Sequence, residues 1–360
     1  MTATDTHADV GSPSPRVAMY SLLRPALFAI SPARAHHLAL AGLGVLDRAG
    51  PLRDVVRPSV TRDPSLAVRA LGLTFPNPVG VAGGFDKDGR CPRALAALGF
   101  GHVELGTVTT VAQEANPEPN LFRLPLDRAL VNRLGFPNRG ATALAARLAR
   151  ARPDVPIGVS IGKSRVVDVE DQAAVIADYR ASFAAVRAVA DFVVVNVSSP
   201  NTPNLRAMQR ADTAEALLRA LLETRGGARP PILLKVAPDL DADSYDALLD
   251  VVRRVELDGI VATNTTIARD GLRTPPETLT RVGAGGLSGP PLRARARAMV
   301  ARARSVLGDG ATIIGVGGVA CADDVRALRD AGATLCQVYT AFVYEGPRLA
   351  ARICRELASG

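Results

Sequence analysis

Residues 192–205, FVVVNVSSPNTPNL, concentrate side chains able to handle protons and polar ligands. Asn196 brings an amide, with two donors and an acceptor, to the end of a β-branched run. Ser198, Ser199, Asn201 and Thr202 follow in a loop stiffened by Pro200 and Pro203. The run 192–195 suits a parallel strand buried on both faces. Loops at the C-terminal ends of such strands carry the chemistry of α/β proteins. The same residue types also make ordinary turns; the length of the loop and the place of Asn196 inside the strand pattern favour a site.

Other residues point the same way. Only three of the 43 basic residues are lysines, Lys87, Lys163 and Lys235, each near the end of an apolar run, which suggests sites that need a compact ammonium. Asn132, Asn196, Asn201 and Asn264 are expected at one open mouth, where amides complement a ring edge that alternates N–H and C=O, such as a pyrimidine dione. Glycine-rich turns at 285–289 and 315–318, each opening a helix, suit a phosphate at the last two strands. A mononucleotide fits better than a dinucleotide, because too little chain follows the second turn to complete a dinucleotide-binding half. Histidine is the usual proton carrier. His7 falls in a polar tail, His36 and His37 in an N-terminal helical segment, and His102 at the start of a strand, away from the loops. Ser199 is then the best candidate base, a weak one that needs a polarised or hydrated setting.

These residues need a scaffold. With 360 residues, 48% of them hydrophobic, and 32 glycines, one large α/β barrel or two ordinary domains are possible. Parallel strands are expected near 78–82, 102–105, 156–161, 192–195, 231–236, 259–262, 312–315 and 334–339, with helices at 170–190, 212–225, 243–255, 291–307, 321–331 and 346–357. That count matches a (β/α)8 TIM barrel over 66–360, preceded by a small hairpin at 66–75; a doubly wound sheet is the alternative. Every strand end then carries glycine, lysine, asparagine or a hydroxyl.

Residues 1–16 read as a disordered tail, 17–50 as a helical pair and 51–65 as a linker. In the pair, Leu22, Leu23, Leu27, Phe28 and Ile30 recur at helical spacing, with Arg24 and Pro25 near the start of the first helix. The longest apolar run, 38–46, is too short for the roughly 20 residues that cross a bilayer. Periodicity alone fits either a packed hairpin or a monotopic membrane anchor at the mouth of a lipophilic tunnel.

Cys91, Cys321, Cys336 and Cys354 lack metal-site spacing, so neither zinc nor an iron–sulfur cluster is expected, and reduced buried thiols of a cytosolic protein are. A net charge of +8 raises the question of nucleic acid. Its densest stretch spreads Arg293, Arg295, Arg297, Arg302 and Arg304 around a helix with no interleaved aromatics, so no nucleic-acid partner is expected.

The motifs GGFDKDG (83–89), NRLGF (132–136), NVSSPNTPNLR (196–206), KVAPDL (235–240), ATNTT (262–266), GGLSG (285–289) and IIGVGG (313–318) resemble the dihydroorotate dehydrogenase family over roughly 18–357. The resemblance is to its membrane-associated, quinone-dependent class. It implies a TIM barrel with one FMN, oxidation of dihydroorotate to orotate in pyrimidine synthesis, and electrons passed to a membrane quinone. By matched position, Ser199 would be the catalytic base, where the soluble class carries cysteine. Lys87, Asn132, Arg133, Leu134, Gly135, Phe136, Asn196, Asn201, Asn264 and Thr265 would hold substrate. Gly83, Gly84, Phe85, Asp86, Lys87, Thr107, Ser160, Asn196, Lys235, Thr263, Gly289, Gly318, Tyr339 and Thr340 would contact FMN, and His36, Arg123 and Tyr339 would line the quinone tunnel. Ser160 and Asn120 stand where the family usually has asparagine and arginine.

The resemblance further implies a peripheral protein on the cytoplasmic face of the cell membrane, held by the N-terminal helices, with no iron–sulfur partner subunit. Another FMN barrel acting on a pyrimidine, such as tRNA dihydrouridine synthase, is the alternative. It calls for a mouth-loop cysteine and a trailing RNA-binding domain, neither of which the sequence displays. A non-catalytic phosphate-binding or scaffold barrel is the rival of another class.

Overall fold

A computed structural model describes residues 18–202, 204–227 and 229–359; the tail expected at 1–16 lies outside them. The chain begins with helices α1 (Ala18–Ala29), α2 (Pro32–Arg48) and α3 (Gly50–Val56). Pro25 stands inside α1 rather than near its start. An interior proline costs about 3 kcal/mol, and docking offsets that, ahead of Pro25 through Tyr20 and Arg24 and after it through the Leu27, Phe28 and Ile30 carbonyls. Tyr20 Oη donates to Val343 O at 2.5 Å and Arg24 Nη1 to Tyr344 O at 3.3 Å. Ser31 caps α2, its Oγ accepting from Arg34 N, with Pro32 at the first helical position. The stretch read as a linker is largely ordered: α3 leads into 3-10 turns at Ser59–Arg62 and Pro64–Leu66.

The hairpin β1 (Val68–Ala70) and β2 (Leu73–Phe75) precedes β3 (Val79–Val81), α4 (Pro92–Ala97) and β4 (His102–Val108). An excursion holds β5 (Leu121–Leu124) and β6 (Ala129–Asn132), before α5 (Ala141–Arg150). Strands and helices then alternate through β7 (Ile157–Ile161), α6 (Gln172–Val186), β8 (Phe192–Asn196), α7 (Ala211–Arg225), β9 (Ile232–Val236), α8 (Ala242–Arg254) and β10 (Gly259–Ala262). A second excursion, α9 (Pro276–Val282) and β11 (Gly286–Ser288), leads to α10 (Arg293–Leu307), β12 (Thr312–Val316), α11 (Ala322–Asp330), β13 (Leu335–Val338), α12 (Thr340–Glu345) and α13 (Leu349–Ala358).

All eight expected strands are present. β3, β4, β7, β8, β9, β10, β12 and β13 pair in that order, every pair parallel, and β13 returns to β3 to close the barrel. The fold is the TIM barrel. The GGLSG segment differs from expectation. Part of it is β11, pairing antiparallel with β6 in a three-stranded sheet over the mouth, so it follows β10 rather than belonging to the last two strands. Its partner β6 lies far back in the chain, beyond the reach of local pattern.

Two polar joints fix the N-terminal helices to the barrel. Asp47, buried near the end of α2, accepts from Arg93 N at 2.7 Å and Ala94 N at 3.0 Å at the start of α4, and pairs with the Arg93 guanidinium. Arg123 on β5 donates to Leu27, Phe28 and Ile30 carbonyls, the unpaired acceptors at the end of α1.

The lower barrel is apolar: Phe75, Phe192, Leu233, Val261, Ile314 and Leu335 pack together. Phe75, from β2, plugs the base, with its ring 5.5 Å from that of His102. Gly80 admits the imidazole, since a Cβ there would lie 2.2 Å from His102 Nε2. His102 is fully buried, and among the described residues neither ring nitrogen has a partner. Burial pushes its pKa down to about 3. In the unfolded chain the ring titrates near the ordinary value of about 6.5. Unfolding between those values therefore takes up a proton, and stability falls as pH drops through that window, by up to about 1.4 kcal/mol per pH unit. His102→Leu should lose stability to wild type at pH 7.5 and recover much of the deficit at pH 5. Denaturant unfolding at both pH values checks this, and an equal deficit at both would sink the assignment.

Candidate active site

One cleft of about 1120 Å³ opens at the C-terminal ends of the barrel strands. Of the residues expected there, Gly83, Gly84, Lys87, Thr107, Asn132, Leu134, Gly135, Phe136, Asn196, Ser199, Asn201, Lys235, Thr263, Asn264, Thr265, Gly289, Gly318, Tyr339 and Thr340 all line it. Barrel closure gathers them, since they come from every part of the chain between β3 and α12.

Asn196 organises the centre. Its Nδ2 donates to Thr107 Oγ1 at 2.9 Å, and its Oδ1 accepts from Ser198 N, Ser198 Oγ and Asn264 Nδ2 at 3.1–3.3 Å. From below, Tyr179 Oη donates to its carbonyl at 2.9 Å. Asn201 Nδ2 donates to Asn132 Oδ1 at 3.0 Å and Asn264 Nδ2 to Ser198 Oγ at 2.9 Å. The four amides thus form two hydrogen-bonded pairs, Asn196 with Asn264 and Asn132 with Asn201, at one cleft. Ser199 is buried at the cleft wall, its Oγ accepting from Asn201 N at 3.2 Å.

The loop bearing Ser199 is pinned from outside. Arg206 Nε donates to Ser198 O at 3.2 Å, Nη2 to Thr265 O at 3.0 Å and Nη1 to Asp239 Oδ2 at 2.8 Å. Asp239 also accepts from Thr266 Oγ1, Ile267 N and Arg295 Nη1, so it ties the loops after β8, β9 and β10 together.

Lys87 Nζ donates to Gly84 O at 2.7 Å, and burial pushes its pKa down to about 8. Lys235 Nζ donates to Glu104 Oε1 at 3.1 Å within the barrel. Lys163 behaves otherwise: its ammonium turns to the Ser164 and Val167 carbonyls, and it does not line the cleft. The hint that all three lysines serve a site fails for this one.

Several expected residues support the cleft from behind. Asp86 accepts from Arg90 N and Cys91 N, both at 2.8 Å. Phe85 packs against His36 and Phe342. Ser160 lies under Thr107, with the two hydroxyl oxygens 2.9 Å apart. The Arg133 side chain turns away to the Val282 and Ala284 carbonyls and stacks over Phe122. Among the tunnel residues, Tyr339 reaches the cleft, and His36 stands behind it across Phe85, with ring separations of 6.0 and 5.4 Å. Burial and the neighbouring Lys87 charge push the His36 pKa down to about 3. Arg123 lies over Phe28, which meets Tyr344 edge-on at the cleft. Asn120 is buried, donating to Asn116 O at 2.8 Å.

Sequence reasoning missed Glu104, Gln337, Arg128 and Tyr344. The first two were detectable in principle as polar side chains inside otherwise apolar strands. The basic stretch on α10 is partly neutralised, with Arg293, Arg295 and Arg302 paired to Asp324, Asp239 and Asp246.

A sequence model of the family described as dihydroorotate dehydrogenase matches residues 65–360. A protein of Rhodococcus opacus (strain B4) is 49% identical over 341 residues, covering 94% of each chain. One of Clavibacter sepedonicus is 50% identical over 344 residues, covering 94% of this chain and 98% of its own. Both are named dihydroorotate dehydrogenase (quinone). A crystal structure of DHODH from Eimeria tenella, in complex with ferulenol, superposes with a TM-score of 0.83 at 31% identity over 94% of both chains. On this shared fold and sequence, the chain belongs to the dihydroorotate dehydrogenase family.

Proposed function

We propose that this enzyme oxidises dihydroorotate to orotate in pyrimidine synthesis, with one FMN per chain and a membrane quinone as final acceptor. The observation that carries the reading is the convergence of two hydrogen-bonded asparagine pairs, Ser199, Lys87 and Lys235 on one cleft of a family member. The donor set fits FMN. Gly289, Gly317 and Gly318 line one end of the cleft with backbone alone, suited to a phosphate, and Lys235 supplies a cation elsewhere on its wall. Gln337 Oε1, buried at the cleft wall, has no partner among the described residues. FMN bound there would supply a two-electron acceptor for the hydride lost from C6 of the substrate.

Protein side chains do the rest. Lys87 binds the substrate carboxylate as a charged donor. Asn132, Asn196, Asn201, Asn264 and Thr265 hold the ring edge, and the 133–136 segment contributes Leu134, Gly135 and Phe136 as walls, the Arg133 side chain being engaged elsewhere. Ser199 Oγ takes the C5 proton while its own hydroxyl proton passes to a water molecule in the cleft and on to solvent, so no charge stays on the alcohol. Gly83, Gly84, Thr107, Lys235, Thr263, Gly289, Gly318, Tyr339 and Thr340 hold FMN directly, and Phe85, Asp86 and Ser160 shape that wall from behind.

Quinone access runs past α1 and α2, with His36, Arg123 and Tyr339 along it. No helix among the described residues is long and apolar enough to cross a membrane. Among the described residues, seven of the eleven large, exposed apolar side chains nevertheless fall on α1–α3, among them Leu22 (77% exposed), Leu38 (59%), Val45 (65%) and Val55 (81%). Such a patch fits a peripheral site in the head-group layer, on the cytoplasmic face where the soluble substrate is available.

Ser199→Ala should retain FMN and orotate binding but slow anaerobic flavin reduction by about 10²–10⁴-fold, as expected for a lost general base; a wild-type rate in stopped flow would remove Ser199 from the chemistry. For Lys87, the ammonium is the binding form, so orotate affinity should fall as pH rises through about 8, by up to about tenfold per unit. Spectral titration from pH 7 to 10 checks this; Lys87→Met should be weak throughout and lack the inflection. Replacing Leu22, Leu23, Leu38 and Val45 with serine should abolish vesicle binding and lower long-chain quinone turnover, leaving turnover with a small soluble acceptor intact. An unchanged ratio of the two turnovers would reduce α1–α3 to packing.

A further inference from the structure

Glu104 is a carboxylate in the middle of β4 with no exposed surface, and the reaction outlined above does not use it. Its Oε1 accepts from Lys235 Nζ at 3.1 Å and its Oε2 from Gln337 Nε2 at 2.9 Å. The three side chains come from β4, β9 and β13, no two of which are adjacent in the barrel. Their contacts therefore cross the barrel interior beneath the cleft. Gly83 makes the arrangement possible, because a Cβ there would lie 2.2 Å from Glu104 Oε1.

The chemistry of each group limits its alternatives. An ionised carboxylate only accepts, so it turns the donating end of the Gln337 amide towards itself. A lysine on four methylenes has many positions open to it; a buried carboxylate partner selects one. Lys235 lines the cleft, whereas Glu104 stands one hydrogen bond behind it and does not. In a low-dielectric interior that carboxylate cancels part of the field the ammonium projects into the cleft.

We propose that Glu104 is a positioning residue for the flavin chemistry: by holding and partly neutralising Lys235, it sets the positive charge presented to the flavin and so the reduction potential. The proposal rests on the flavin reading of the cleft. Reduced flavin carries more negative charge than oxidised flavin, so an uncompensated ammonium favours it. Wild-type Glu104 holds the potential down, which eases passage of electrons onward to the acceptor.

Glu104→Gln separates charge from shape. Its carbonyl can still accept from Lys235, and its amide can donate to Gln337 once that amide turns over. Glu104→Asp keeps the charge but draws it one methylene away from Nζ. The bound-flavin potential of wild type and both variants is measured by equilibration with reference dyes, alongside FMN affinity from titration of apoprotein. At fixed potential, E104Q should raise the reduced-to-oxidised ratio about tenfold, equivalent to about 30 mV for a two-electron couple. E104D should give a smaller rise.

A packing defect predicts the opposite order, because aspartate changes shape more than glutamine does. It would weaken FMN binding most in E104D while leaving the potential in place. A folded, flavin-loaded E104Q with an unmoved ratio overturns the proposal. Should E104Q not fold, the same criterion passes to E104D: a partial rise supports the assignment and an unmoved ratio overturns it. Wild-type protein that binds no FMN overturns the flavin reading together with this proposal, whereas loaded wild type with unmoved variants overturns the Glu104 assignment alone.

Discussion

Closure of eight parallel strands into a ring is the constraint from which the rest follows. A ring has no sheet edge, and because every strand runs the same way, all eight C-terminal ends arrive at one rim. Lys87, Thr107, Asn196, Lys235, Thr263 and Thr340 are far apart in sequence and share a cleft only because β13 hydrogen-bonds back to β3. The outer cap, β5–β6–β11, depends on the same closure: it brings Asn132 and Gly286 together over the mouth.

The barrel interior is divided by height. The lower part is dry, built from Phe75, Phe192, Leu233, Val261, Ile314 and Leu335. The upper part carries Glu104, Lys235, Gln337 and Asn196 in strands that are otherwise apolar. Buried polar groups are tolerated when each finds a partner, and most of these do. Conserving volume in the lower part supports stability, while the upper part fixes charges and amides that solvent would otherwise average away.

Much of this was legible in the sequence. The eight strands followed from β-branched runs ending in glycine, asparagine, lysine or hydroxyl residues, and many of the cleft-lining residues followed from those strand ends together with the motifs that resemble the family. The failures have physical causes. Lys163 sits at a strand end like Lys87 and Lys235, but its loop offers carbonyls that its ammonium takes instead. In the NRLGF motif, residue type does not say whether side chain or backbone faces the cleft, and Arg133 faces away. β11 pairs with a strand more than a hundred residues earlier, a contact without local signature. Glu104 was overlooked because every position of β4 is buried, and no periodicity told which of them face the barrel axis.

The attachment of α1 and α2 has a dynamic consequence. α2 fully buries only Leu40 and Asp47, with Leu43 and Leu46 half-buried against the core, so a narrow apolar contact and a few hydrogen-bonded joints, at Asp47, Arg123, Tyr20 and Arg24, hold the pair. Each joint is a small cluster of hydrogen bonds, and each can break without disturbing the barrel core. Elements held this way open locally at a free energy well below that of global unfolding. In solution, the amides of α1 and α2 would exchange with deuterium long before those of the barrel strands, and a protease would find this segment first. A lipid surface covering Leu22, Leu38 and Val45 would slow both events, so the front of the molecule would acquire its full rigidity only where it works.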